Sequence, residues 1–320
     1  MEPILGLDVG KSRVHAVLLT EDAVMRRKAI LNTKAGFAQL DAWLKNRNVV
    51  QAHACVEAGG YVEALALHLH AQGHAVSLVN PSRIKAFGQS ELIRTKTDAV
   101  DAALIARFCR AHRPARWEPP PPETLALQRL VRRLESLKLM IFQERNRLER
   151  IEDGPIVDSI QEVIATLEHQ HERIQDEIRR LFEEHQTLKV RRDLLTSIPG
   201  IANATAEKIL GEAPNLDGFS SSKSVAAYAG LSPQHFESGS MRAKSRISKT
   251  GNGRLRKALY FPAMVAIRWN PVVKAFARRL SLAGKPKLVI IAAVMRKLLV
   301  IAYGVLKSGI GWDPQRAIAA

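Results

Sequence analysis

Ile4-Leu-Gly-Leu-Asp8-Val-Gly10 opens the run of short apolar segments that decides how the first third of the chain folds. A glycine turn follows it. Arg13-Val-His-Ala-Val-Leu-Leu19 and Ala29-Ile-Leu31 then continue the pattern, so three short strands joined by tight turns are expected. Ala52-His-Ala-Cys-Val-Glu57 and Ala75-Val-Ser-Leu-Val79 read as two more strands, and helical spacing covers 36–44, 62–71 and 98–109. Three hairpin-linked strands followed by alternating helices and strands predict an α/β layer built on a mixed sheet.

Beyond this layer, Arg116-Trp-Glu-Pro-Pro-Pro-Pro122 is a stiff linker. Apolar residues then recur at three–four spacing through Leu127, Leu130, Leu134, Leu137 and Ile141, and again through Ile160, Ile164, Leu167, Ile174, Ile178, Leu181 and Leu188. Asp153-Gly-Pro155 separates the two runs. The expectation is a coiled-coil arm or an antiparallel helix pair. His171 and His185 fall on the apolar seam of the second run and read as polar seam positions rather than metal ligands. The remainder reads as mostly helical. The expected domains are therefore 1–115, an arm at 116–190, and 191–320.

Lys plus Arg number 48 against 31 Asp plus Glu, a formal charge of +17 over 320 residues. The excess is uneven: residues 1–119 carry +5, residues 120–190 carry −3 and residues 191–320 carry +15. Such a balance predicts a polyanionic partner, most simply nucleic acid, pressed against the C-terminal end. Two cysteines, Cys55 and Cys109, allow neither a disulfide framework nor a Cys/His zinc cluster, which fits a reducing, cytoplasmic compartment. The N-terminus lacks the features of a secretion signal. The most membrane-like stretch, 288–306, has Arg296 and Lys297 at its centre, each costing about 2.5–3.5 kcal/mol in lipid. It is expected to be a buried helix with one basic face, and no membrane partner is expected.

Asp8 closes the first strand and Glu57 the fourth, each just before glycine. Ligands gather where strands end at a topological switch, so both carboxylates can converge on one spot. Asp98 and Asp101, three apart, share a helix face. Four carboxylates in one pocket require cations, and hard, oxygen-seeking Mg²⁺ fits best, with Mn²⁺ as the alternative. A structural reading stands beside this one: Asp98 as a helix N-cap, Asp101 in the first turn, Glu57 as a surface residue. Gly10-Lys11-Ser12 ends like a phosphate-binding loop, but Leu5 occupies the required first glycine position.

The segment from Ser238 to Lys257 contains Ser238, Ser240, Arg242, Lys244, Arg246, Lys249, Arg254, Arg256 and Lys257, and no acidic residue. Its glycines permit close approach of backbone to phosphate, and its cations neutralise the charge. A serine there suits nucleophilic attack on a phosphodiester, or serves only as a hydrogen-bond donor to it. His235 is the only nearby candidate base. Ile198-Pro-Gly200-Ile201 looks like the turn of a helix-hairpin-helix element, which offers backbone N–H groups to a DNA phosphate, although Ala202 stands where a second glycine is usual.

In their order and spacing, Leu7-Asp8-Val-Gly10, Val56-Glu57-Ala58, Lys96-Thr97-Asp98-Ala-Val-Asp101, Ile198-Pro-Gly-Ile201, Tyr228-Ala-Gly-Leu-Ser-Pro233, Ser238-Gly239 and Ile247-Ser-Lys-Thr-Gly251 resemble the DEDD transposases of bacterial insertion sequences, relatives of the Piv invertases. The resemblance implies an RNase H-like (RuvC-like) N-terminal domain, a helical coiled-coil arm and a mostly α-helical C-terminal transposase domain. It also implies that Asp8, Glu57, Asp98 and Asp101 hold Mg²⁺ and that Ser238, with Ser240 as runner-up, joins transiently to a DNA 5′ phosphate. Donor and target DNA, a guiding bridge RNA and a second or fourth copy of the chain are the partners it implies, in the cytoplasm at the nucleoid. Gly200 and the basic residues of the serine loop are the expected nucleic-acid contacts. A RuvC-type nuclease using metal-activated water is the alternative enzyme, and a non-catalytic nucleic-acid scaffold a third reading.

Overall fold

The computed structural model describes residues 2–21, 24–93, 97–234 and 246–315, together with the backbone of 237–238 and 241–242. It divides into two compact units, Met1–Pro119 and Pro120–Ala320.

In the first unit, β1 (Ile4–Val9), β2 (Arg13–Leu19) and β3 (Met25–Leu31) form an antiparallel meander. β4 (His53–Glu57) and β5 (Ala75–Val79) add parallel to β1, in the order β3-β2-β1-β4-β5. Side chains alternate between the two faces of a strand. Leu5, Leu7, Ala54 and Val56 pack beneath α1 (Lys34–Lys45) and α2 (Glu63–Ala71), while Ile4, Val17, Leu19, Cys55 and Val79 meet α4 (Asp98–His112) on the opposite face. At Gly6 the approach is closest. A Cβ there would lie 2.4 Å from the Ala102 carbonyl oxygen and the Ala106 nitrogen, so the absence of a side chain lets α4 settle on β1.

The structure departs from the expected elements in two places here. β3 begins at Met25 rather than Ala29, because Arg26, Arg27 and Lys28 lie on an exposed edge strand where cations are tolerated. A helix not anticipated, α3 (Pro81–Ser90), starts with Asn80 Oδ1 accepting from Ser82 N at 2.9 Å and with Pro81 in its first turn.

The second unit is helical apart from two short ribbons. α5 (Pro122–Leu148) and α6 (Gly154–Glu184) fold back on each other as an antiparallel pair, bridged by Arg145 and Glu168 at 2.5 Å. The two runs are separated as expected, α5 ending at Leu148, and Gly154-Pro155 then starts α6, since proline lacks the N–H that the first turn leaves unbonded anyway. The run expected to continue to Leu188 is divided at His185, where α7 (Gln186–Thr196) begins. The base of the pair is not set apart: Leu127, Val131, Leu134, Ile178 and Phe182 share one core with the helices that follow. These are α8 (Asn203–Glu212), α9 (Ser222–Tyr228), α10 (Gly253–Ala258), α11 (Tyr260–Trp269), α12 (Pro271–Leu282) and α13 (Lys287–Ser308). Among the described helices α13 alone is long and apolar enough to cross a membrane; its Val294, Leu298, Leu299 and Ala302 are fully buried in this core.

Candidate active site and nucleic-acid interface

β1 and β4 run parallel and in register through Leu7 and Val56, so Asp8 and Glu57 come next to each other at the same ends of neighbouring strands. Such strands are about 4.8 Å apart. Both residues have the parity of the face that carries α4. On α4 the sheet-facing stripe contains Ala102, Ile105, Ala106 and Cys109. Asp98 and Asp101 stand one turn before Ala102 and Ile105, at the N-terminal end of that stripe, where the helix dipole favours negative charge. Thr97, not Asp98, is the cap: its Oγ1 accepts from Val100 N at 3.3 Å. The carboxylate of Asp98 is left 69% exposed, with one oxygen 3.3 Å from Nε2 of His15.

The donors are all carboxylate oxygens, as a hard divalent cation requires. Their backbone positions lie on one face at one end of the sheet. Among the described residues, however, no group of three or more His, Cys, Asp or Glu side chains is gathered tightly enough to hold a metal ion. His171 and His185 likewise belong to no such group.

The serine loop is a ribbon with two rungs. At its base β6 (Pro233–Gln234) pairs with β9 (Arg246–Ile247), and nearer its tip β7 (Glu237–Ser238) pairs with β8 (Met241–Arg242), Ser238 opposite Met241. That register puts Ser238 immediately before a two-residue connection. Ser240, Lys244 and His235 lie outside the described residues. Of the cations, Arg246, Lys249, Arg254 and Lys257 are exposed.

Residues 5–153 match the DEDD transposase profile of the IS110 group, and residues 192–278 match that of the transposase IS116/IS110/IS902 family. The chain is 34% identical to the pilin gene-inverting protein of Moraxella lacunata, the alignment covering 97% of each, and equally similar to that of Moraxella bovis. The chain belongs to the IS110 family of DEDD transposases. An insertion element IS110 protein of Streptomyces coelicolor is 24% identical over 48% of this chain and 37% of its own length. Like its relatives, this transposase is an enzyme of DNA recombination that cleaves and rejoins strands, and a DEDD set points to dependence on a divalent metal.

Several residues that hold the transposase's loop in place carry no sequence signal of their own. Glu212, only 3% exposed, ends α8. Burial pushes its carboxyl up, but bonds from Arg132 (2.7 and 3.0 Å) and from Asn252 Nδ2 (3.1 Å) outweigh this and hold it below the usual carboxylate range. Tyr228 Oη and Asn252 Nδ2 also donate to the Glu212 backbone carbonyl at 2.9 and 3.0 Å. Gly251 (φ +142°) lies where a Cβ would come within 2.3 Å of the Tyr228 carbonyl oxygen. The returning limb of the ribbon is thus clamped to the end of α9. Arg256 belongs to the same clamp, donating to the Ala229 and Lys249 carbonyls at 2.9 and 3.4 Å. Tyr228, Gly251 and Asn252 do fall in or beside the motifs named above; Arg132 and Glu212, 80 residues apart, do not.

The 198–201 turn of the transposase joins α7 to α8 as expected. Gly200 (φ +108°) is half-buried, and a Cβ there would be 2.7 Å from the Ala266 Cβ of α11. Ala202, Asn203 and Ala204, at the start of α8, are exposed, and no side chain caps that helix. Gly200 therefore packs the turn, the Ile201 N–H is taken by the Ile198 carbonyl at 2.9 Å, and the residues that open α8 lie at the surface.

The missed residue of the carboxylate end is His15. Val9 pairs with Val14 across the Gly10 turn, which sets His15 opposite Asp8. A hairpin register read from Gly10-Lys11-Ser12 would have found it.

Proposed function

We propose that this transposase cuts DNA through Ser238, forming a transient phosphoserine link, and that Asp8, Glu57, Asp98 and Asp101 supply the acidic, metal-holding residues that the reaction needs. The observation that carries the reading is the pairing of Ser238 with Met241 in a loop that is rich in Arg and Lys and clamped at its foot. In the step proposed, Ser238 Oγ attacks phosphorus, the bond to the 3′ oxygen breaks, and the serine proton ends on that oxygen. The 5′ phosphate stays on the protein, so its bond energy is conserved and strands can be exchanged without ATP. Arg246, Lys249, Arg254 and Lys257 attract and hold the phosphates. The uncapped start of α8 offers a second phosphate contact.

Mg²⁺, or Mn²⁺ in its place, is the ion we assign to the four carboxylates, where it would neutralise the scissile phosphate. Closing such a shell requires Asp98 to turn from His15. The sheet order β3-β2-β1-β4-β5, with an antiparallel meander extended by two parallel strands, supports the RNase H-like reading of the first unit. We further assign a bridge RNA as guide and assembly into dimers or tetramers through the α5–α6 pair. Its Leu139, Met140 and Phe142 are exposed, and residues 120–190 are net acidic, as suits protein rather than nucleic-acid contact.

His15 beside Asp98 favours one competing reading, in which an imidazole accepts a proton from water and the cut is hydrolytic. Incubation with radiolabelled donor DNA separates the two: a labelled band at protein mass supports the serine, and free cut DNA alone supports hydrolysis.

A further inference from the structure

From Ser238 to Trp312 the chain contains 16 Lys and Arg and not one Asp or Glu. In the middle of this acid-free stretch, α11 turns apolar side chains to solvent. Phe261 is 70% exposed, Val265 45% and Trp269 73%, while Pro262, Ala263 and Ala266 of the same helix are buried. Positions four and eight apart lie along one side of a helix, so these three form a single stripe about 12 Å long. Arg268, seven residues after Phe261, falls on the same side. Tyr260 meets the edge of Phe261 with ring centroids 5.4 Å apart, and Lys257 precedes the stripe on α10.

Leaving two large aromatic rings in water has no folding benefit, so the stripe calls for an occupant. A second copy of the same face would bring cation against cation, which argues against a self-complementary contact. Flat aromatic rings on an acid-free stretch of chain, with Lys257 and Arg268 beside them in sequence, are instead the chemistry that takes unpaired bases: rings stack on base faces while Arg and Lys hold the phosphates. We infer that the α11 stripe binds single-stranded DNA, with Phe261 and Trp269 as stacking platforms for bases unpaired during strand exchange. The inference rests on the chain's place among DNA recombinases and not on the serine chemistry.

The test is titration of the full-length protein with oligothymidylate, a duplex of equal length and oligouridylate, in the presence of a chelator so that cleavage does not enter. Phe261→Ala and Trp269→Ala should each weaken oligothymidylate binding about 10-fold or more and leave duplex binding within about 2-fold. The slope of log Kd against log salt should not change, because no phosphate contact is lost. Trp269→Phe should restore most of the affinity while abolishing the Trp269 share of the fluorescence quench. Equal loss on the duplex, or a loss confined to oligouridylate, would overturn the assignment. So would unchanged binding accompanied by a shift in sedimentation, which would make the stripe a protein contact.

Discussion

The acidic end of the first unit and the serine ribbon of the second are built by opposite means. Asp8 and Glu57 lie on adjacent parallel strands, and α4 is pressed onto them at Gly6, so their backbones are fixed by ladders and core packing. Ser238 lies instead on a short antiparallel pairing, and the foot of its loop is tied to the end of α9 through Arg132, Glu212, Tyr228, Asn252 and Arg256. Groups that must hold a charge cluster gain from rigid elements, where position is set by the scaffold. The proposed nucleophile is carried instead on a loop with a firm base, the kind of segment that often bears binding and catalytic residues. The polar clamp is hydrogen-bonded on several sides, as a buried carboxylate must be.

The comparison can be broken at either end. Ser238→Ala and Asp8→Ala should each lower strand cleavage by about 10³-fold or more, but only Ser238→Ala should leave the acidic face unaltered. Binding of Mn²⁺ measured by paramagnetic relaxation should be retained in the first and lost in the second. Next in size is the scaffold itself. Gly6→Val should cost about 3 kcal/mol or more, because the side chain meets α4 backbone rather than a flexible neighbour; calorimetric unfolding of the first unit reads it directly.

At the ribbon's foot the effect should be smaller. Arg132→Ala leaves a buried carboxylate with less compensation and should destabilise by about 2–3 kcal/mol, less than in a fully buried pair because Arg132 keeps part of its surface in water. The pH dependence sharpens this. Glu212 is held below its ordinary value, so its contribution is present above the unfolded pKa and is lost as pH falls through the folded one. The stability gap between the unaltered chain and Glu212→Gln should therefore narrow on acidification below about pH 4.5 in chemical denaturation. The smallest change expected is His15→Ala, a several-fold effect on cleavage through the orientation of Asp98. A loss of 100-fold or more in the free-ended product would instead favour the hydrolytic route.

Much of this was legible in the chain alone, for local reasons. β1, β2, β4 and β5 announce themselves by apolar runs between glycines and turns, and α4 by Thr97 followed by alanine-rich helical spacing. β3 was half hidden because Arg26, Arg27 and Lys28 occupy an edge strand that water reaches. α3 has too few apolar residues for periodicity to find it, although Asn80-Pro81 marks its start. Motif order singled out the four carboxylates and the serine, and the strand and helix registers give where their backbones lie. The Glu212 clamp was not legible, since Arg132 and Glu212 meet only through tertiary packing of α5 against α8. His15 needed a hairpin register rather than a motif.

The central claim is that the ribbon, not water, supplies the attacking oxygen. The measurement that tests it most directly is a denaturing protein gel of the transposase incubated with Mg²⁺, RNA transcribed from its own flanking sequence, and labelled donor and target DNA. The account predicts label at protein mass, absent in both Ser238→Ala and Asp8→Ala. Cleaved DNA with no label on the protein, or a labelled band that survives Ser238→Ala, would contradict it.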